Sequence, residues 1–260
     1  MLTFKNLLFE QTDDIAFITL NRPDKLNALN VATIQELNEA FMEVISASNI
    51  RGVILSGAGD KAFAAGADIE EVAKLNEVNG RKFAENGQEV FAMIESCNKP
   101  VLAAINGYAL GGGCELALSC HMRIATASSR FGLPEVKLGI IPGYGGTQRL
   151  TQIVGKTKAY EMLLTGDDIP ATEAKQLGLV NYVVEDGDEL KKKSRELMYR
   201  ILSRAPLAIA HIIDCVNAYY NGSNGYQTEA NSFANCCKSD DFREGTAAFL
   251  EKRKPQFKGN

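Results

Sequence analysis

Histidine is nearly missing from this chain. His121 and His211 are the only two in 260 residues, and neither has a partner histidine. That scarcity counts against a His-rich zinc site and against a Ser-His-Asp triad. The patterns HExxH, GxSxG and GxxxxGK[ST] are absent, so a zincin, a nucleophile elbow and a P-loop find no support. No CxxC pair occurs. The six cysteines, at 97, 114, 120, 215, 236 and 237, are scattered through a chain too long to need disulfide staples. They read as free thiols of a reducing cytosol. No apolar run reaches the roughly 18 residues of a membrane span. The opening residues, "MLTFKNLLFEQTDD", lack the basic start, apolar stretch and small-residue cleavage site of a signal peptide. A formal net charge of −4 with no long basic run argues against a large nucleic-acid surface. An acid or base in this protein must therefore be a carboxylate, lysine, tyrosine or cysteine.

What is present is the alternation of an α/β protein. "DIAFITL" (14–20) is a short β-rich run ended by the turn "NRPD". In "TIQELNEAFMEVI", Ile34, Leu37, Phe41, Val44 and Ile45 recur at helical spacing. "GVILSG" (52–57) is a continuous apolar run between glycines, as expected of a fully buried parallel strand. A polar helix is predicted over 79–96, then the strand "PVLAAIN", a glycine turn, a helix, and the strand "MRIATA". Strands alternating with helices imply crossover connections. After about Asp186 only helical patterns remain. We expect a core over 1–190 and a helical region over 191–260, with no internal repeat visible in the sequence.

Two glycine-rich segments invite a chemical reading. "GAGDKA" (57–62) fits G-x-G-x-x-A after a strand, but the following "FAAGAD" reads as loop, and no second strand ending in an acid follows at the right distance. A dinucleotide site is not expected. The second segment is "NGYALGGGCELALS" (106–119), where Gly111, Gly112 and Gly113 sit at a helix start. The first N–H groups of a helix lack internal partners and carry partial positive charge. Glycine lets an oxygen approach them closely, although a tight turn with close helix packing explains the same residues. In "KAFAAGADIEE" (61–71) the N–H near Ala67 is a candidate for the same oxygen, and Asp68 serves equally well as a helix N-cap. Two such donors make an oxyanion hole suited to a thioester enolate.

Glu115 falls in the first turn of the helix opened by the glycines, where dipole complementation is the plain alternative. Glu135 lies in "FGLPEVKLGIIPGYGG", among glycines and prolines, where a solvated turn acid is the alternative. One strand and its return separate them, which can bring both to one end of a sheet. Two carboxylates beside an oxyanion hole can handle one water, one as base and one as acid.

Taken together, "NRPDKLNALN" (21–30), "AFAAGADI" (62–69), "KPVLAAINGYALGGGCELAL" (99–118), "FGLPEVKLGIIPGYGGTQRL" (131–150), "GLVNYVV" (178–184) and "FREGTAAFLEKRKPQF" (242–257) resemble the enoyl-CoA hydratase/isomerase (crotonase) superfamily in order and spacing. Glutamates at both 115 and 135 look like its hydratases, because isomerases, dehalogenases and decarboxylases of the superfamily commonly replace one or both. The resemblance implies an α/β crotonase-like spiral of β-β-α units, and a helical C-terminal region that makes a homotrimer, two of which stack as a hexamer. It implies reversible hydration of a 2-enoyl-CoA to a 3-hydroxyacyl-CoA, including 3-hydroxybutyryl-CoA dehydration in reverse. The expectation is a cytoplasmic enzyme with no metal and no cofactor beyond the coenzyme A of the substrate; the charge and the lack of an apolar span argue against a nucleic-acid or membrane partner.

By matched motif, Ala67 and Gly112 supply the oxyanion N–H groups, Glu135 the proton for the α-carbon, and Glu115 the activation of water. Gly143 borders the thioester and water, and Pro134 is a further substrate-binding residue. Coenzyme A passes Lys25, Leu26 and Ala28, with Ala65, Asp68 and Ile69 near it, and Phe249 and Lys252 reach it from a neighbouring subunit. A solvated surface charge explains Lys25 and Lys252 equally well. Two positions depart from the pattern. Leu133 replaces a polar glutamine of close relatives, and Tyr144 replaces a small residue, either narrowing the acyl end or packing outside it. An isomerase is the alternative activity, and a non-catalytic acyl-CoA or RNA binder a further one.

Overall fold

The computed structural model describes residues 3–260, which form an α/β spiral followed by helices. The chain starts with the hairpin β1 (Leu7–Thr12) and β2 (Ile15–Leu20). Helix α1 (Val31–Ser46) begins where the Asn30 side chain accepts the Thr33 N–H at 2.8 Å. Its buried face is Ile34, Leu37, Phe41 and Val44, as the spacing predicts. Ile45 is exposed instead, because one residue turns the helix by about 100° and carries it off the buried stripe.

Strand β3 (Gly52–Gly57) is followed directly by β4 (Ala62–Ala65), so the GAGDKA segment is a strand-to-strand turn and opens no helix. A single turn, α2 (Ile69–Val72), precedes α3 (Glu77–Glu95), which starts with a reciprocal capping box between Asn76 and Asn79. Next come β5 (Val101–Ile105), with every residue buried, and β6 (Tyr108–Leu110), a three-residue strand that the sequence pattern does not reveal. Then follow α4 (Gly112–Ser119), β7 (Met122–Thr126), β8 (Arg130–Gly132), α5 (Gly146–Val154), α6 (Lys156–Thr165), β9 (Ile169–Pro170), α7 (Ala171–Gln176) and β10 (Tyr182–Val184). The C-terminal helices are α8 (Gly187–Leu202), α9 (Pro206–Tyr220), α10 (Gly225–Lys238) and α11 (Asp240–Leu250).

Among the described residues the strands make two sheets, a six-stranded one in the order β1-β2-β3-β5-β7-β10 and a four-stranded one in the order β4-β6-β8-β9. The pairs β3–β4, β5–β6 and β7–β8 each put their first strand in the larger sheet and their second in the smaller. That is the repeating turn of the spiral. Apart from β1–β2 and β8–β9, neighbouring strands are parallel, and parallel sheets are normally covered on both faces. The main core lies on one side and includes Phe41, Phe63, Phe91 and Phe131. On the other side Ile15, Ile54, Leu102 and Ile124 meet Leu190, Met198 and Leu202 of α8. A division at residue 190 cuts through this helix, whose apolar face belongs to the sheet. By contrast α9, α10 and α11 expose Ile212, Val216, Tyr219, Phe233, Phe249 and Leu250. Among the described residues no single helix is long and apolar enough to cross a membrane. Cys120 is buried in the core, and His121 is used structurally, its Nδ1 accepting the Val101 N–H at 2.9 Å.

Candidate active site

The smaller sheet sets out the site. Ala65, Leu110 and Gly132 lie in register at the ends of β4, β6 and β8, three adjacent parallel strands. A few residues beyond these ends come Ala67, Gly112 and Glu135. A parallel ladder therefore delivers three candidate groups to one edge, on the carboxyl ends of the strands, where open α/β sheets place their ligands.

The three glycines have different duties. Gly111 has φ +50°, a backbone that L side chains avoid, and a Cβ there would lie 2.9 Å from Glu135 Oε1. Its N–H donates to the Gly132 carbonyl at 2.9 Å, which ties β6 to β8. Gly113 packs so closely on the Ala64 carbonyl that a Cβ would overlap it. Gly112, the first residue of α4, has an N–H with no intrahelical partner. The position a Cβ would take on Gly112 is 3.6 Å from the Ala67 nitrogen, so the two N–H groups are neighbours. Neither donates to a backbone carbonyl among the described residues, although in the isolated bridge between Leu29 and Ala67 the Leu29 N–H donates to the Gly66 carbonyl and the Asp68 N–H to the Leu29 carbonyl. Two adjacent unpaired donors at a helix N-terminus form a receptacle for an oxygen that gains negative charge.

Glu115 sits one turn along α4 and is 1% exposed. Its Oε1 accepts the N–H of Tyr144 at 2.8 Å and of Gly146 at 2.7 Å. It therefore does not fold back to cap its own helix; the PGYGG turn caps the carboxylate instead. Burial, reinforced by the nearby Glu135 charge, pushes Glu115 up to about 7, while the two N–H donors and Arg149 oppose the rise. Glu135 sits in a 3-10 turn, Pro134–Leu138, opened by Pro134. Burial raises it to about 7 as well. Its Oε2 is buried without a hydrogen-bond partner, and the neighbouring Leu133, fully buried, offers no polar atom to serve it. Glu135 is thus not a solvated turn acid.

The sequence did not single out Arg149 or Glu95. Arg149 donates from Nη1 to the Tyr144 carbonyl at 2.9 Å and from Nε to Glu95 Oε2 at 3.0 Å, with Nη2 2.9 Å from the same oxygen. The guanidinium thereby fixes the turn whose N–H groups hold Glu115. An arginine in "GGTQRL" reads as a solvated helix charge, and only the glycines before it hint at the turn it holds.

Ala67, Gly112, Glu115, Glu135 and Gly143 all line one cavity of about 1220 Å³. The other candidates do not line it. Pro134 opens the turn that carries Glu135. Ala65 donates its N–H to the Leu26 carbonyl at 3.0 Å, which lays the Leu26–Ala28 segment beside the Ala67 loop. Asp68 is buried, pairs with Arg22 at 2.7 Å and caps α2 through the Glu70 N–H, so its capping role is realised. Ile69 is exposed next to it, and Lys25 pairs with Glu70 at 3.0 Å in solvent. Phe249 is 82% exposed near the end of α11, with Lys252 just beyond it at φ +56°.

Two neighbouring carboxyls and two free N–H groups thus meet at one sheet edge. The family model described as enoyl-CoA hydratase/isomerase matches residues 10–260, and this chain belongs to that family. The chain is 44% identical to the short-chain-enoyl-CoA hydratase of Clostridium acetobutylicum over 251 residues, 96% of each protein. It is 43% identical to the crotonyl-CoA hydratase of Syntrophomonas wolfei subsp. wolfei over 264 residues, 98% of this chain and 99% of that one. Among solved structures, enoyl-CoA hydratase from Bacillus anthracis matches with a TM-score of 0.93 at 40% identity, covering 98% of this chain and all of that one.

Proposed function

We infer that this chain is a hydro-lyase, an enoyl-CoA hydratase that adds water reversibly and syn across the double bond of a 2-enoyl-CoA to give the 3-hydroxyacyl-CoA. One observation carries the reading: a buried carboxyl, Glu115, and a half-buried one, Glu135, each raised to about 7, share a cavity with the unpaired N–H groups of Ala67 and Gly112. The Glu135 charge raises Glu115, so ionising both carboxyls is disfavoured and one of them is suited to keep its proton while the other is charged. The two N–H donors and Arg149 favour the charged form of Glu115. Glu135 has an unpaired buried oxygen and favours the neutral form.

Glu115 then takes a proton from water as the hydroxyl oxygen bonds to the β-carbon. The π electrons move toward the thioester oxygen, which the Ala67 and Gly112 N–H groups stabilise as an enolate. Glu135 delivers its proton to the α-carbon. Coenzyme A belongs to the substrate, and no other cofactor enters. The pantetheine is assigned to the edge formed by Leu26–Ala28 and Ala65–Ile69. The exposed apolar side chains of α9–α11 support a homotrimer or a hexamer of two trimers, in which Phe249 and Lys252 serve the neighbouring subunit. The enzyme is assigned to the cytoplasm. Incubation with crotonyl-CoA, followed by loss of the conjugated-thioester absorbance, tests the reading. Double-bond migration of a 3-enoyl-CoA without hydration would replace it with the isomerase, which needs one base and leaves the second carboxyl without work.

A further inference from the structure

Resting on the hydratase reading, we propose that the Tyr144 ring is the chain-length stop of the acyl site and seals off a second cavity able to take the tail of a longer 2-enoyl thioester. The Tyr144 N–H holds Glu115, and Tyr144 lines the same cavity as both carboxyls and the two N–H donors, so its ring stands where an acyl chain extending past the base would meet it. The ring also stands against the oxyanion site, 3.4 Å from where a Cβ on Gly112 would be. Behind it, between α1 and α3, lies a cavity of about 820 Å³. Leu75, Phe83, Met93 and Tyr144 line both cavities and are therefore the partition. Ile34 and Val90 give the second cavity an apolar floor under a polar rim, a lining that suits hydrocarbon.

The stop is fixed in place. Tyr144 is 3% exposed, with Phe91 edge-on at 5.4 Å and Phe83 at 5.2 Å between ring centroids. Helix α3 carries Gly87 opposite it, where a Cβ would overlap the ring. Glycine weakens a helix interior, and here it opens the notch that the ring fills. A tail long enough to displace the ring would also pull on the backbone N–H that anchors Glu115. Chain length and base position are thus coupled through one residue.

The test compares kcat/KM for crotonyl-CoA and dec-2-enoyl-CoA in the parent, Tyr144→Ala and Tyr144→Phe, and separately the binding of saturated butyryl-, hexanoyl- and decanoyl-CoA. The parent is expected to prefer the four-carbon substrate by tenfold or more. Tyr144→Ala should raise the decenoyl-to-crotonyl ratio at least tenfold, mainly through KM, and Tyr144→Phe should keep the parent ratio, because the ring is the stop and the hydroxyl is not. In the parent, affinity for saturated thioesters should level off by six carbons. In Tyr144→Ala it should rise by about fourfold for each methylene that enters the second cavity. An unchanged ratio in folded Tyr144→Ala overturns the proposal. So does parent affinity that climbs steadily to ten carbons, a measurement that needs no variant to fold. Failure of the parent to hydrate crotonyl-CoA overturns the hydratase reading alone, since the binding series reads chain length without catalysis.

Discussion

Replacing Glu115 by glutamine should cripple turnover and stabilise the fold, with a pH dependence that identifies the cause. The carboxyl is raised from 4.5 to about 7 by burial and by Glu135. At 1.36 kcal/mol for each tenfold step, its ionised form costs the folded state about 3 kcal/mol. Below about pH 4.5 the group is protonated in both the folded and unfolded chain, and no penalty exists. As pH rises toward about 7 the unfolded chain releases its proton first, so folded stability falls; above about 7 the full penalty stands. Glutamine keeps an oxygen for the Tyr144 and Gly146 N–H groups and carries no charge. The variant should therefore match the parent in thermal unfolding at low pH and exceed it by several degrees at pH 8. Its hydration rate should fall by about 100- to 10,000-fold. Thermal scans at equal protein concentration across pH 4–8, beside crotonyl-CoA assays, measure both. A variant no more stable than the parent at pH 8, or one that hydrates at near the parent rate, refutes the buried-base reasoning.

Gly112→Pro removes one oxyanion donor at a first-turn position that tolerates proline, and a loss of about 100- to 1,000-fold in rate is expected; unchanged turnover in a folded variant would count against the donor. Arg149→Met removes a cation that lowers the Glu115 pKa, so the acid limb of the kcat profile should move to higher pH, whereas a merely loosened fold would lower the rate at every pH alike. Glu115→Gln combined with Glu135→Gln should be far more active than the product of the single losses, because both act on one water; strict multiplicativity would separate the two roles. Light scattering should give a trimer or hexamer, and a monomer at working concentration would leave the exposed face of α9–α11 unexplained.

The elements legible in the sequence were those long enough to show a period. Strands β3 and β5 read as continuous apolar runs, and α1 showed its buried stripe. The strands that build the site, β4, β6 and β8, span only three or four residues each, too few for alternation to register. Glu115 and Glu135 could be found because glycines and prolines surround them where a helix or turn must start. Their meeting depends on strand register, which no local pattern contains. Arg149 escaped notice because its partners, Glu95 and the Tyr144 carbonyl, are recognisable only in space. The repeat of strand pairs was equally hidden, since each turn of the spiral uses different side chains to fill a different part of the core.

The placement of Ala67, Gly112 and Glu135 just past the ends of β4, β6 and β8 separates what holds the sheet from what meets the substrate. The ladder is bonded through Ala65, Leu110 and Gly132 and the residues before them, while positions 67, 112 and 135 lie beyond its last rungs. A side chain can therefore change at one of these three exits without breaking a rung. Chemistry at this edge is free to diversify on an unaltered ladder, with each exit open to mutation separately. The reverse does not hold: slipping β6 by one residue against β8 would misalign every exit at once, so the interstrand register is the most constrained feature of the site although none of its hydrogen bonds touches the ligand.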